Sequence, residues 1–242
     1  MVNKVVVFNE VKKSYGSQQI LSGIELELNQ GEFLGLIGIN GAGKTTLIKC
    51  MLDFTSLDSG SITIFKQKQS MATAREKLAY LPERFMPPYY LSGQDFLEYS
   101  SKLYQQEYNP ERVKQILTTL DLDIKVLSKP VRQFSKGMSQ KLGLAACLLS
   151  NKDLVIMDEP MSGLDHKART YLKKYLLELK QENLTLFFNT HMLFDAEAVC
   201  DKVAILHNGI IQFLGSPAEC CDKFNTHDFR QAYLRCVETD RC

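Results

Sequence analysis

The sequence lacks an excess of charge of either sign. Its 29 lysine and arginine residues stand against 28 aspartate and glutamate residues, so the formal net charge is +1. Proteins that attract nucleic acid or an anionic membrane surface over long distances carry a clear positive excess. The balance therefore favours neither kind of partner, and we expect no binding to nucleic acid.

Long apolar runs are also missing. The longest strongly apolar stretch, residues 142–149, is less than half of the roughly 20 residues that a membrane-spanning helix requires. The N-terminal residues show neither the basic and apolar regions nor the cleavage site of an export signal. We therefore expect a cytoplasmic protein that reaches a membrane only through a partner.

A disulfide framework is not expected, because seven cysteines is an odd number in a chain without an export signal. Four of them, Cys220, Cys221, Cys236 and Cys242, lie near the C-terminus. The adjacent pair Cys220 and Cys221 does not have the usual spacing of metal ligands. Reduced, unpaired thiols are the preferred interpretation, and a metal site is the alternative.

Short apolar runs that are typical of strands alternate with helical patterns along the chain. Several runs are almost continuously apolar, as strands buried on both faces are. The alternation predicts a layered α/β fold with a mainly parallel sheet. The strand patterns lie at residues 5–8, 33–38, 62–65, 154–158, 184–189, 203–206 and 210–214, and helical patterns include 44–52, 165–180 and 191–199.

The middle of the chain breaks this alternation. Between residues 84 and 150 the patterns are helical, at 93–104, 110–120 and 137–149, and the entry to this region is rich in proline. We expect one domain, 1–242, in which a helical subdomain is inserted into an α/β core. The predicted parts are a core of residues 1–83 and 151–215, a helical subdomain 84–150 and a short C-terminal extension 216–242.

A glycine-rich loop, GINGAGKTT, follows an apolar strand pattern and opens a helical one. This is the context that the phosphate-binding pattern G-x-x-x-x-G-K-[ST] requires, so a chance glycine-rich turn is the weaker interpretation. Its glycines let backbone N–H groups face a phosphate. Lys44 would reach the β and γ phosphates, and the Thr45 hydroxyl would bind Mg²⁺. The residues predicted to bind ATP are Gly38, Ile39, Asn40, Gly41, Ala42, Gly43, Lys44, Thr45 and Thr46.

A second element, LVIMDEP at 154–160, is an apolar strand pattern that ends in two carboxylates. Ligands of open parallel sheets lie at the carboxyl ends of the strands. We expect Asp158 to hold Mg²⁺ through water and Glu159 to polarise the attacking water as a general base. Adjacent acids are often only solvated surface, but the phosphate loop favours function here.

The ordered set of motifs resembles the ATP-binding cassette (ABC) family of ATPases from about Val5 to Gly215. The phosphate loop is similar to its Walker A motif, and LVIMDE is similar to its Walker B motif. By this resemblance Tyr15 stacks on adenine and His191 is the switch histidine. The D-loop is Ser162, Gly163, Leu164 and Asp165, and the signature is Ser135, Lys136, Gly137 and Met138.

Three of these elements also have a purely structural interpretation. Tyr15 beside Gly16 would suit a turn, and His191 would suit a helix start capped by Thr190. The D-loop would suit a capped helix start, with Asp165 near the positive end of the helix. This last role is compatible with a role in a dimer.

Three positions depart from the family pattern. Glu83 replaces the usual glutamine and adds a third carboxylate near the predicted Mg²⁺ site. Lys136 and Met138 replace the usual glycine and glutamine of the signature. Together with YLPE, this signature is similar to the branch of single-cassette exporters of the ABC-2-like, multidrug type, whose membrane partners are separate chains.

The resemblance implies a fold and an assembly. The fold is a P-loop NTPase core with a mainly parallel sheet, an N-terminal antiparallel β subdomain and a helical insert. The assembly is a homodimer, or a heterodimer with a second cassette, that hydrolyses ATP beneath transmembrane permease subunits at the cytoplasmic face of the inner or plasma membrane. The alternatives are a soluble ABC ATPase in a non-transport process and a regulator that does not hydrolyse ATP.

The proline-rich loop 84–93 is the candidate contact with a permease. It carries Phe85, Met86, Tyr89 and Tyr90, and aromatic residues and methionine are enriched at the cores of interfaces. An equally weighted interpretation is that these side chains pack the helical insert onto the core.

Overall fold

The computed structural model describes residues 3–238, in which two β-sheets are combined with helices. The strands are β1 (Lys4–Tyr15), β2 (Gln18–Asn29), β3 (Phe33–Ile37), β4 (Ser59–Ile64), β5 (Gln67–Lys68), β6 (Leu78–Leu81), β7 (Leu154–Asp158), β8 (Thr185–Thr190), β9 (Lys202–His207) and β10 (Ile210–Gly215). The α-helices are α1 (Lys44–Met51), α2 (Gly93–Leu103), α3 (Pro110–Thr119), α4 (Lys136–Leu149), α5 (His166–Gln181), α6 (Leu193–Val199), α7 (Pro217–Lys223) and α8 (Phe229–Glu238).

The larger sheet has the strand order β10-β9-β3-β8-β7-β6. All of its neighbouring strands pair in parallel except β10, which is antiparallel to β9. Every residue of β3, β7 and β8 is buried, as expected of central strands that are covered on both faces. The predicted α/β fold with a mainly parallel sheet is confirmed.

The smaller sheet has the order β2-β1-β4-β5 and is antiparallel throughout. Its inner face packs on the phosphate-loop side of the larger sheet, where Phe8 and Phe187 lie with ring centroids 6.2 Å apart. This is the antiparallel N-terminal part that the resemblance implied. This packing brings Tyr15, at the end of β1, close to the carboxyl ends of the strands in the larger sheet.

Residues 84–150 contain α2, α3 and α4, whose apolar faces join the core on one side of the larger sheet. Each helix begins at a side-chain cap, in which Ser92, Asn109 or Ser135 accepts a hydrogen bond from a backbone N–H. Such caps satisfy N–H groups that have no partner inside the helix. The helical pattern predicted for this region is confirmed.

Three predicted helix starts are displaced by one or two residues. The helix α4 begins at Lys136 rather than at 137, and α5 begins at His166 because Asp165 is its cap. The helix α6 begins at Leu193, two residues after His191. The Thr190 hydroxyl accepts a hydrogen bond from Met192 N at 3.0 Å, but the N-cap position is Met192, which makes no side-chain cap. The interpretation that His191 starts this helix is therefore wrong.

The apolar runs and the cysteines of the sequence can now be compared with the structure. Within residues 3–238, every helix is too short or too polar to cross a bilayer. The six cysteines in this range form no disulfide bond, whereas Cys242 and the extreme ends of the predicted domain 1–242 lie outside the described residues. The helices α7 and α8 pack Cys220 and Cys236 into a small apolar cluster with β9 and β10.

Candidate functional site

The glycine-rich loop connects β3 to α1 at the carboxyl end of the larger sheet. Gly41 and Gly43 have φ angles of +86° and +106°, which other residues adopt only with strain. A Cβ atom at Gly38 would lie 2.5 Å from the Leu206 carbonyl oxygen. The loop therefore requires glycine at these positions for its path, as the phosphate-binding pattern predicts.

The Lys44 side chain is buried and turns back over this loop. Its Nζ donates to the Gly38 carbonyl at 2.8 Å and to the Ile39 carbonyl at 3.2 Å. Burial lowers the pKa of the Lys44 ammonium, and the nearby carboxylates of Glu159 and Asp158 oppose this shift. A positive charge is thus held at the centre of a loop whose N–H groups suit an anion.

Asp158 ends β7 beside the phosphate loop and is 1% exposed. Its Oδ1 accepts hydrogen bonds from Asn189 Nδ2 at 2.6 Å and from Thr45 Oγ1 at 3.4 Å. Burial raises the pKa of the Asp158 carboxyl, and these two hydrogen bonds oppose the rise. Thr45 and Asp158, which were predicted to hold Mg²⁺, are therefore joined by a direct hydrogen bond.

Glu159 leaves the strand with a φ angle of +53°. Its Oε1 lies 2.9 Å from His191 Nδ1, and its backbone N–H donates to Asn189 Oδ1 at 2.8 Å. The imidazole is about half exposed, whereas the carboxylate is largely covered. The structure thus brings together the two residues that were predicted to be catalytic.

One cleft of about 430 Å³ contains most of the predicted nucleotide site. Glu83, two residues after the end of β6, lines this cleft and contributes negative charge near Lys44 and Asp158. Within the phosphate loop itself, the Ile39 side chain is exposed and the Ala42 side chain is buried. The predicted residues that line the cleft are Tyr15, Asn40, Gly41, Gly43, Lys44, Thr45, Thr46, Glu83, Glu159, Ser162 and His191.

Tyr15 lies at the rim of the cleft and is 50% exposed. Lys13 Nζ lies 5.4 Å from the centroid of its ring, and this contact leaves much of the ring open to solvent. An exposed ring next to a phosphate loop is well placed to cover a base. The position agrees with the stacking role that the resemblance implies.

The signature residues do not line this cleft. The exposed Ser135 is the N-cap of α4, and its hydroxyl oxygen accepts a hydrogen bond from Met138 N at 3.2 Å. Lys136 is exposed as well, and Gly137 and Met138 are partly buried. The chain therefore presents this helix start to the outside and not to its own phosphate loop.

The D-loop lies directly against the signature. A Cβ atom at Gly137 would lie 2.9 Å from the Gly163 carbonyl oxygen, and the buried Gln140 side chain donates to the Pro160 carbonyl at 3.3 Å. Leu164 is buried, and Ser162 faces the cleft. The close contact favours glycine at 137, and the φ angle of +78° favours glycine at 163.

Asp165 is a helix cap, as one interpretation of the D-loop predicted. Its Oδ1 accepts a hydrogen bond from Ala168 N at 2.9 Å, and this bond lowers the pKa of the Asp165 carboxyl. Its Oδ2 lies 3.5 Å from Lys141 Nζ on the signature helix. The same carboxylate therefore caps α5 and contacts α4.

Sequence reasoning missed two residues of the cleft, Ile20 and Asn189. Ile20 lies in β2, a strand that the pattern analysis did not predict. Asn189 ends the apolar run of β8 directly before Thr190 and His191. A polar residue at the carboxyl end of a buried strand was the available signal, but the register that pairs it with Asp158 is visible only in the structure.

The fold and the cleft together define a P-loop nucleotide-binding protein. The ABC transporter family matches residues 21–162 of the chain. An uncharacterized ABC transporter ATP-binding protein of Nostoc is 34% identical over 92% of this chain and 70% of its own length. The chain belongs to the ABC transporter family of ATP-binding proteins and is an ATPase of that class.

Other relatives have names that give a narrower function. The Nod factor export ATP-binding protein I of Rhizobium etli is 30% identical over 92% of this chain and 72% of its own length. The linearmycin resistance ATP-binding protein of Bacillus subtilis is 29% identical over 88% of this chain and 70% of its own length. An uncharacterized ABC transporter ATP-binding protein of Synechocystis is 38% identical, but the match spans only 57% of its length.

Solved structures agree on the fold. An ATP-binding subunit of an ABC transporter superimposes with a TM-score of 0.87 at 28% identity and covers 96% of this chain and 99% of that one. A dimeric bacterial ABC transporter cassette superimposes with a TM-score of 0.78 at 21% identity and covers 87% of this chain and 98% of that one. The second likeness concerns the fold alone.

Proposed function

We propose that the chain is the ATP-hydrolysing subunit of an ABC exporter, and that it works in pairs beneath a permease made by separate polypeptides. The observation that carries this proposal is the position of the signature. The cleft holds a phosphate loop and two acids, while Ser135 caps an exposed helix outside it. A second cassette would place the same helix start over this cleft.

Thr45, Asp158 and Glu83 would hold Mg²⁺ with ATP. Hydroxyl and carboxylate oxygens are the hard ligands that this ion prefers, and Thr45 Oγ1 and Asp158 Oδ1 are 3.4 Å apart. When bound, the ion would offset the negative charge of the phosphates as the bond breaks. Lys44 would turn from the loop carbonyls to the β and γ phosphates.

Glu159 would act as the general base. It takes a proton from water, and the water oxygen attacks the γ-phosphorus while ADP leaves. His191 holds the carboxylate through Nδ1 at 2.9 Å. When the ring carries both protons, Nδ1–H donates to Glu159 and Nε2–H can donate to the γ-phosphate. Loss of that phosphate would let the pair open, and a permease would respond to this change.

Relatives named for Nod factor export and linearmycin resistance support the direction of transport. In this proposal the core, 1–83 and 151–215, binds ATP, and the helical subdomain, 84–150, carries the signature. The extension, 216–242, follows β10. The protein would lie at the cytoplasmic face of the inner or plasma membrane through its permease.

A co-purification experiment tests the transporter role. The full chain, tagged and expressed in its own cells, should be recovered from detergent-solubilised membranes with an integral membrane protein of several apolar spans. ATP hydrolysis by the complex should exceed that of the isolated chain. Recovery with ribosomes or DNA and without such a membrane protein would instead support a non-transport ATPase.

In the loop 84–93, one side chain packs against the helical subdomain and three are exposed and available to a permease. Phe85 packs inward with its ring centroid 5.5 Å from that of Phe96. Met86, Tyr89 and Tyr90 are 85%, 69% and 71% exposed. We therefore assign the permease contact to these three side chains and the packing role to Phe85.

Replacing Tyr89 and Tyr90 together by alanine should uncouple transport from hydrolysis. Both rings are outside the cleft, so ATP turnover by the isolated chain should stay at the wild-type level, while stimulation by the permease is lost. ATPase assays with and without reconstituted permease would measure this. Tyr171→Ala, on the exposed face of α5, is the control and should keep the stimulation. Equal loss of basal and stimulated turnover would contradict the assignment.

Replacing Tyr15 by alanine should weaken ATP binding by about 2- to 10-fold, which corresponds to the roughly 0.5–1.5 kcal/mol of an aromatic stacking contact. Tyr15→Phe should keep the affinity because the ring remains. Titration with a fluorescent ATP analogue would measure both variants. Tyr99→Ala, which removes an exposed ring on α2, is the control. Unchanged affinity in Tyr15→Ala would favour the turn interpretation.

A further inference from the structure

Asn189 is a fully buried amide that contacts both Asp158 and Glu159. Its Nδ2 donates to Asp158 Oδ1 at 2.6 Å, and its Oδ1 accepts a hydrogen bond from Glu159 N at 2.8 Å. Its exposure is 0%. One side chain thus contacts two consecutive residues that have different predicted roles.

The contact with Glu159 fixes the backbone conformation of that residue, and with it the direction in which the chain leaves β7. β7 pairs with β8 up to Asp158 and Asn189, and the chain then turns away from the strand. Glu159 turns with a φ angle of +53°, a region that costs free energy for residues other than glycine. Its N–H is held by the side-chain oxygen of Asn189 and, at 3.3 Å, by the backbone oxygen of the same residue.

The contact with Asp158 sets which carboxylate oxygen is available. Among the described residues, the hydrogen bonds from Asn189 and Thr45 both end on Oδ1. Oδ2 is then the oxygen that can accept a hydrogen bond from metal-bound water. A buried carboxylate without this donor would be free to rotate, and its desolvation would be less well compensated.

We propose that Asn189 is a positioning residue for ATP hydrolysis, which aligns the metal-binding carboxylate of Asp158 with the base Glu159; the inference rests on the proposed function. The amide is suited to this role because it has a donor on one side and an acceptor on the other. A carboxylate at this position would place two anions in contact, and an aliphatic side chain would leave both partners unpaired. Asn189 itself touches neither nucleotide nor water in this scheme.

Two variants and one control test the proposal. Asn189→Leu removes both hydrogen bonds with a branched but larger side chain, and Asn189→Ala does so without added bulk. Thr185→Ala is the control at the opposite end of β8, where a buried hydroxyl accepts a hydrogen bond from Gly31 N at 3.0 Å. It removes a comparable buried contact far from the acids. Melting temperatures of the three variants show the structural cost of each change.

Three measurements distinguish effects on nucleotide binding, on metal binding and on hydrolysis. Affinity for ATP is measured in EDTA with a fluorescent analogue, affinity of the ATP complex for Mn²⁺ by electron paramagnetic resonance, and kcat at saturating Mg²⁺ and ATP. For both Asn189 variants we expect unchanged metal-free ATP binding and a loss of about 10- to 100-fold in Mn²⁺ affinity and in kcat. Thr185→Ala should lower only the melting temperature.

Each outcome decides the proposal. If one Asn189 variant does not fold, the other carries the test. Wild-type Mn²⁺ affinity and kcat in a folded Asn189 variant would overturn the positioning role and leave the ATPase proposal intact. A parallel loss in Thr185→Ala would show a structural effect and would also overturn it. Absence of ATP hydrolysis in the wild-type protein would instead contradict the proposed function.

Discussion

Replacing Glu159 by glutamine should give a protein that binds ATP and forms a stable pair but hydrolyses it at least about 100-fold more slowly, since a general base contributes roughly 10²–10⁴-fold. Glutamine keeps the shape of the side chain and can still contact His191, but it cannot accept the proton from water. Single-turnover hydrolysis would measure the loss. Size-exclusion chromatography coupled to light scattering, with and without ATP, would measure the pairing.

Glu178→Gln is the matched control for this change, because it makes the same substitution on the exposed face of α5. Its turnover and its ATP-dependent pairing should equal those of the wild type. Turnover that persists in Glu159→Gln would show that another group takes the proton. Glu83 would then be the next carboxylate to replace, since it lines the same cleft.

Replacing Ser135 by arginine should abolish ATP-driven pairing and hydrolysis while ATP binding is largely kept. Ser135 is exposed outside its own cleft, so the new side chain cannot reach the nucleotide of its own chain. In the proposed pair it would occupy the space of the partner's γ-phosphate. Light scattering, ATP titration and steady-state hydrolysis would measure the three properties.

The substitution also removes the N-cap of α4, which costs about 1 kcal/mol. Ser92→Arg separates this effect, because Ser92 is the N-cap of α2 and lies outside the signature. It should lower stability to a similar extent and keep both pairing and hydrolysis. Normal pairing in Ser135→Arg, or its loss in Ser92→Arg, would contradict the role assigned to the signature.

The general fold and the nucleotide loop were predictable because they depend on local chemistry. Apolar runs and glycine spacing identify β3, the phosphate loop and α1 without knowledge of any distant contact. The strand β6, of four residues, is too short to give a clear period, and β2 is interrupted by Gly23. The helix starts at Lys136 and His166 shifted by one residue because the side-chain caps Ser135 and Asp165 decide where these helices begin.

The contacts within the site depend on strand order and register, which one sequence does not display. The position of β8 between β3 and β7 brings Asn189 to Asp158 and His191 to Glu159. The sequence placed His191 beyond the two acids through its resemblance to a family, whereas Asn189 carried no motif. The roles of the predicted site residues remain predictions that the variants above test.

The close approach of Gly137 to Gly163 has a consequence for communication between two bound nucleotides. A Cβ atom at Gly137 would lie 2.9 Å from the Gly163 carbonyl oxygen, and Gln140 donates to the Pro160 carbonyl just before the D-loop, so a shift of the D-loop towards α4 would press on the signature helix. The D-loop begins three residues after Glu159 along the chain. In the proposed pair, a change at one γ-phosphate would therefore move the serine that its own chain presents to the other, so that each nucleotide would sense the state of its neighbour.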